Sequence, residues 1–290
     1  MRILLYYKYV DVPNPAAETE AHRALCQALE LKGRILISSE GINGTCSGSE
    51  ESIAAYQKAL NGHPLFSGIA FKESASEDHV FAKLFVRLRP EVVTLRQEVS
   101  AKEAAPYISP DELHAALERC EELVLIDMRN DYEAAIGRFR NAVTLSMENF
   151  RDLPKFLKEL EPYRKRRVVT YCTGGIRCER ASALLKKHGF ADVRQLEGGI
   201  VTYCSTYPDG FFDGACFVFD SRMCMRFPGK KPPRFVSHCS MCKKPCDRCL
   251  DCSDKGCHEL FVCCEGCERK NAGLCAEHLN AENSKMCQFE

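Results

Sequence analysis

Three hydrophobic patterns divide the chain. Across residues 1–95, short strand-like runs alternate with helix-like ones. Residues 3–10 form an aromatic-rich apolar run that Pro13 and Pro15 end; Ala21, Leu25, Ala28 and Leu29 then recur at helical spacing, with Gly33 closing the helix. Residues 34–39 read as a second strand, Gly41 and Gly44 as a tight hairpin into a third, and Ser49 and Ser52 open a second helix that stops near Gly62. Extended segments at 69–73 and 80–88 complete a strand–helix–strand–strand–helix–strand order, which predicts a ferredoxin-like α+β sandwich.

From residue 107 to 207 the pattern changes. Residues 123–127, 142–145, 168–171 and 193–196 are short and largely apolar, as strands buried on both faces are. Between them lie helical stretches: one capped by Ser109 with Pro110 in its first turn, one at 150–160, and one at 180–187 that Gly189 ends. This alternation predicts a parallel α/β sheet covered on both sides, with its chemistry at the C-terminal strand ends. Residues 91–106 are polar and weakly patterned and read as a linker.

Beyond residue 207 the periodicity fades. Residues 208–237 hold Pro228, Pro232 and Pro233, and from Arg222 to Arg248 eight Lys or Arg stand against Asp247 alone, in a chain of zero net charge. This reads as a stiff basic connector. Phosphate contact and a merely solvated linker are both open readings of it; Arg164-Lys165-Arg166-Arg167 and the strand face of Lys83, Arg87 and Arg89 pose the same choice. No apolar run approaches the roughly 20 residues of a membrane span. The N-terminus is too quickly charged for a signal peptide. The expected location is the cytoplasm, with no membrane partner.

Residues 238–290 carry eleven of the nineteen cysteines. In a reducing compartment such a cluster reads as metal ligands rather than disulfides. Cys239 and Cys242 form a Cys-x2-Cys knuckle that Cys252 and Cys257 complete as a four-thiolate site. Cys264 and Cys267 form a second knuckle, closed by Cys275 and His278. Two structural zinc ions are the expectation, with Cys246, Cys249, Cys263 and His258 as substitutes for any one ligand. The tail has few large apolar residues, so its folding should depend on the metal.

The clearest chemistry lies in Cys172-Thr173-Gly174-Gly175-Ile176-Arg177. A cysteine there ends a strand, two glycines let the backbone amides turn inward, and a helix start and an arginine add positive charge. Each of these lowers a thiol's pKa and favours a nucleophilic thiolate, whereas a buried structural cysteine is the plain alternative. Cys178, at the helix start, reads equally as a second thiol for the site or as a packed small residue.

The Cys172–Arg177 loop resembles the active-site loop of the rhodanese superfamily. Asp127-Met128-Arg129 resembles its Asp-x-Arg signature, and Leu196-Glu197-Gly198-Gly199 its closing segment. Together with Glu40-Gly41-Ile42-Asn43-Gly44 and the run from Phe211 to Arg222, these motifs resemble the rhodanese-domain tRNA uridine hydroxylases. The resemblance implies an acylphosphatase-like N-terminal domain, the tRNA anticodon region as partner, and O2 as co-substrate in an oxidoreductase reaction that converts wobble uridine 34 to 5-hydroxyuridine. It implies Cys172 as the catalytic residue, through a persulfide or an oxidised sulfur species. Gly174, Gly175 and Arg177 would stabilise that sulfur, Cys178 would resolve it, and Asp127 and Arg129 would orient the loop or the substrate. A sulfurtransferase that takes persulfide sulfur from thiosulfate or a sulfur-donor protein fits the same loop. An inactive scaffold fits less well, because Cys172 is intact. The sequence shows no Gly-x-Gly-x-x-Gly and no two-His-one-carboxylate pattern.

Overall fold

The computed structural model describes residues 1–257 and 259–279. The N-terminal domain consists of β1 (Arg2–Tyr9), α1 (Pro15–Ala28), β2 (Lys32–Ser38), β3 (Gly41–Gly48), α2 (Glu50–Asn61), β4 (Lys72–Ala75) and β5 (Leu84–Leu88). The sheet order is β4-β1-β3-β2-β5, antiparallel except for the β2–β5 pair. This is the expected ferredoxin-like sandwich with β5 added at one edge.

Strand alternation gives the sheet two different faces. Leu4, Tyr6, Ile35, Ile37, Ile42 and Cys46 are fully buried and pack with Cys26 of α1 and Ile53 and Tyr56 of α2. Their neighbours Leu5, Tyr7, Leu36, Asn43 and Thr45 point the other way and remain partly exposed.

Two glycine expectations are corrected. Gly33 lies inside β2, and the chain leaves α1 through Glu30 in the left-handed region (φ 52°). The hairpin turn is Ser39-Glu40, and Gly44 sits within β3 opposite Tyr6, where a Cβ would lie 2.5 Å from the tyrosine hydroxyl.

The second domain holds β6 (Tyr107–Ile108), α3 (Pro110–Glu118), β7 (Val124–Asp127), α4 (Asp131–Ile136), β8 (Gly137–Phe139), α5 (Leu157–Leu160), β9 (Arg167–Tyr171), α6 (Ile176–Lys187), β10 (Asp192–Leu196) and α7 (Gly199–Thr206). Strands β6-β10-β9-β7 form a parallel sheet. Val168 packs with Cys178, Ala181 and Leu184 of α6, while Val169 and Tyr171 pack with Leu113 of α3 and Ile200 and Tyr203 of α7. The continuous apolar runs are thus explained by a core on each face.

Other local expectations fail. Residues 142–145 contribute only a single bridge, Val143 to Ile126. Pro154 lies in a 3-10 turn (Phe150–Phe156) that precedes the short α5 where one helix was expected. Residues 91–106 are no free linker: Val92, Leu95 and Val99 are buried, and Leu95 and Val99 join the core beneath α6.

The connector is partly pinned as well. β11 (Phe212–Gly214) pairs with β8, β12 (Cys216–Phe217) pairs with β13 (Cys224–Met225), and the Lys230 and Lys231 amides donate to Asp209 at 2.8 and 3.0 Å. The tail contains the hairpin of β14 (Cys249–Asp251) and β15 (Leu260–Val262), followed by α8 (Glu265–Lys270). No described helix is long and apolar enough to cross a membrane.

Candidate active site

β9 delivers Cys172 at its C-terminal end, and the chain turns through Thr173 and Gly174 into α6. Gly175 caps this helix in the left-handed region (φ 106°), which only glycine adopts at little cost. The turn aims its amide at the sulfur: Gly175 N–H donates to Cys172 Sγ at 3.2 Å. From the other side the start of α7 holds the loop, Ile200 and Val201 N–H donating to the carbonyls of Cys172 and Thr173 at 2.9 and 3.1 Å. α6 begins at Ile176, so Arg177 and Cys178 both belong to its first turn.

Burial opposes the Cys172 thiolate. The neighbouring Cys178 thiol, the Arg177 charge and the amides of Arg177 and Gly175 outweigh it and bring the thiol down to about 6. Burial and the adjacent Cys172 push Cys178 the other way, well above an ordinary thiol. Two close thiols with opposed acidities form a donor–acceptor pair, with the negative charge on Cys172.

Arg177 is not a free cation. It forms a two-pronged pair with the fully buried Glu133, at 2.5 and 2.8 Å, and Thr173 Oγ1 donates to the same carboxylate at 3.4 Å. Glu133 in turn accepts from Asn130 N–H at 3.1 Å. Arg129 pairs with Asp127 at 2.6 Å, donates to Gly137 O at 2.6 Å, and reaches Glu133 O at 3.4 Å; neither ion of this pair is exposed. Asp127 and Arg129 therefore brace the α4–β8 segment that presents Glu133 to Arg177. They act on the loop through Glu133 and do not line the space in front of it.

That space is a cavity of about 940 Å³ between the two domains, at the upper end of sizes typical for small-molecule sites. The Cys172 loop supplies its floor through Cys172, Thr173, Gly174, Ile176 and Arg177. The uncovered N-terminal sheet face supplies a wall through Leu5, Tyr7, Arg34, Asn43 and Lys72, and the connector a third side through Phe219, Arg222 and Phe227. Leu5 lies over Gly174, and the Tyr7 hydroxyl would be 2.8 Å from a Cβ at Gly175. Arg222 is paired with Asp220 and Arg226 with Asp247. Among the described residues, Arg34, Lys72 and Arg151 line the cavity without a carboxylate partner.

The domains are clamped beside the cavity. Arg180, buried on α6, reaches Glu40 at 2.6 Å, Glu91 at 3.0 Å and Gln97 O at 3.0 Å. Asn43 donates to Val92 O at 2.9 Å, and Tyr7 Oη donates to Glu179 at 3.0 Å. The Glu40–Gly44 motif is thus docking surface as well as hairpin. The sequence assigned no role to Glu133, Tyr7 or Lys72. Only Glu133 had a local signal, its place three residues after the helix-capping Asn130.

The cysteine tail forms two four-donor clusters, whose ligand atoms all lie within 4.8 Å of one another in each. One joins Cys239, Cys242, Cys264 and Cys267; the other joins Cys252, Cys257, Cys275 and His278. The residues are those expected, but the partition differs: each knuckle pairs with the half-site two steps along. The β14–β15 hairpin causes this by folding the chain back so that the first and third half-sites meet. Sulfur separations of 3.7 Å (Cys242–Cys264) and 4.0 Å (Cys257–Cys275) suit a tetrahedral ion with metal–sulfur bonds of about 2.3 Å. Cys246, Cys249 and Cys263 belong to neither set. His258 and Cys287 lie outside the described residues.

Comparison with known proteins covers nearly the whole chain. Residues 1–92 match the family described as UPF0176 acylphosphatase like domain, 109–206 the Rhodanese-like domain, and 213–280 the Rhodanase C-terminal family. A tRNA uridine(34) hydroxylase of Cytophaga hutchinsonii is 42% identical over 98% of this chain and 91% of its own length. One from Bacillus mycoides is 41% identical over 100% of this chain and 92% of its own. A solved rhodanese-like domain from Anabaena is 24% identical, covering 38% of this chain and 79% of its own, with a TM-score of 0.32.

Proposed function

Because the chain belongs to the tRNA uridine(34) hydroxylase family, we propose that it hydroxylates C5 of wobble uridine 34 in tRNA in an O2-dependent reaction, with Cys172 as the catalytic residue. The observation that carries the reading is a thiol lowered to about 6 on the floor of a cavity large enough for a nucleotide. The loop amides and Arg177 hold the charge on Cys172, Glu133 fixes Arg177, and Asp127 with Arg129 fixes the segment bearing Glu133. These last three are positioning residues. Cys178 stands ready as the neutral thiol partner of Cys172. At the cavity edge the exposed Arg34 and Arg151 would meet the phosphates of the anticodon loop. Each cysteine cluster would hold one structural zinc, with no part in the chemistry.

The test is nucleoside mass spectrometry of total tRNA from cells lacking the gene, complemented with wild type or Cys172→Ser. Loss of 5-hydroxyuridine derivatives, restored by wild type alone, is the expected result. Persistence of those nucleosides in the deletion strain would remove the assignment. A fall in a thiolated nucleoside instead would turn the reading to sulfur transfer.

A further inference from the structure

Among the described cations that line the cavity without a carboxylate partner, Lys72 alone is half-buried; Arg34 and Arg151 are exposed. It comes from β4 of the N-terminal domain, not from the domain that carries Cys172. Its Nζ lies 5.4 Å from the centre of the Tyr7 ring, and the Tyr7 hydroxyl abuts Gly175 in the cysteine loop. Burial lowers the lysine's pKa, against the pull of Cys172 and Glu197. A half-buried ammonium on the same cavity as the Cys172 thiolate can hold negative charge that the sulfur passes to a bound ligand.

Uracil can take up that charge. Its C5=C6 bond is conjugated with the C4 carbonyl, so an anionic nucleophile adding at C6 drives the electron pair towards C5 and O4. This makes C5 nucleophilic, as its hydroxylation requires. Resting on the uridine reading above, we propose that Lys72 is a catalytic residue that hydrogen-bonds O4 of the uracil ring while the Cys172 thiolate adds to C6. A Leu5 methyl would lie 3.0 Å from a Cβ at Gly174, so this part of the loop is covered by a flexible side-chain end and not by backbone.

The step balances without a redox partner. The Sγ–C6 bond forms, the C5=C6 pair spreads over C5, C4 and O4 as an enolate, and the ammonium holds that charge while keeping its proton. In the absence of O2 a proton from water adds at C5. Loss of either C5 hydrogen as a proton then expels the thiolate and restores the double bond. The net result is hydrogen exchange at C5.

The full-length protein is incubated anaerobically with an anticodon stem-loop RNA deuterated at C5 of uridine 34, and label loss is read by mass spectrometry. Wild type is expected to wash out the deuterium, and Cys172→Ser to leave it in place. Lys72→Met should slow exchange about a hundredfold, the usual cost of losing one preorganised oxyanion donor, with RNA affinity unchanged. Lys72→Arg, which keeps the charge, should recover part of the rate and serves as the folding control. Exchange at the wild-type rate in Lys72→Met overturns the proposal. So does a loss of RNA binding that accounts for the whole rate deficit, because Lys72 would then be only a phosphate contact. Hydroxylation in cells without anaerobic exchange overturns it and leaves the uridine reading standing. Absence of hydroxylation in cells overturns both.

Discussion

Cys172 owes its acidity to groups within six residues of it in sequence, Gly175, Arg177 and Cys178, that the turn aims at the sulfur. With the thiol at about 6, alkylation of Cys172 by iodoacetamide should be half-maximal near that pH, followed on its own peptide by mass spectrometry. An ordinary thiol titrates at about 8.5. The sign for stability follows from linkage: the depressed thiol stabilises the fold above its unfolded value, and that contribution is lost as pH falls through about 6. Cys172→Ser should therefore flatten the pH dependence of stability across that window. The arginine of the loop was legible in the sequence, but its partner was not, because Glu133 lies on a different helix. Glu133→Gln leaves a buried guanidinium with half its compensation, and should cost about 3 kcal/mol in urea unfolding. It should also raise the alkylation midpoint if the freed Arg177 swings away from the sulfur.

At the scale of elements, the first five residues of α6 do several jobs at once. Its N-terminus faces the sulfur, Arg177 turns to Glu133, and Arg180 turns to the N-terminal domain. Arg177 and Arg180, three residues apart, are neighbours on the helix surface, yet they reach different partners, Glu133 and the pair Glu40 and Glu91. Arg180→Met keeps the aliphatic stem but removes the contacts to Glu40, Glu91 and Gln97. It should destabilise the protein by about 2 kcal/mol and lower 5-hydroxyuridine formation even where the chain is folded, because the cavity wall that holds Lys72 is no longer clamped. Wild-type nucleoside levels from this variant would show that docking is not needed. The segment at 91–106 fails as a linker for a related reason. Its apolar residues are too few to show a period, yet Leu95 and Val99 are placed where α6 has an open flank.

For the whole molecule, the tail offers the sharpest contrast between what spacing suggests and what folding does. Two zinc ions per chain are expected by metal analysis. Cys242→Ser combined with Cys264→Ser should lose one of them, since both residues belong to one cluster. Cys242→Ser combined with Cys252→Ser should lose both. The opposite pattern would restore the sequential partition. Chelation should unfold the tail, whose core consists largely of cysteines, while the two sheet domains keep their far-ultraviolet circular dichroism.

Local physics fixed much of this protein in advance. Alternation and helical spacing determined the ferredoxin-like sandwich and the parallel sheet, because burial of one or both faces of a strand writes its period into the chain. The glycines and cysteine of the active loop were equally legible, since a strand-to-helix turn around a sulfur needs those residue types in that order. Contacts between distant segments left no such trace. Lys72 and Cys172 on one cavity, Glu133 holding Arg177, Arg180 joining the domains and the crossed cysteine half-sites join positions 18 to 140 residues apart. A single charged residue carries no periodic signal, so its partner is chosen only when the sheets and helices have packed.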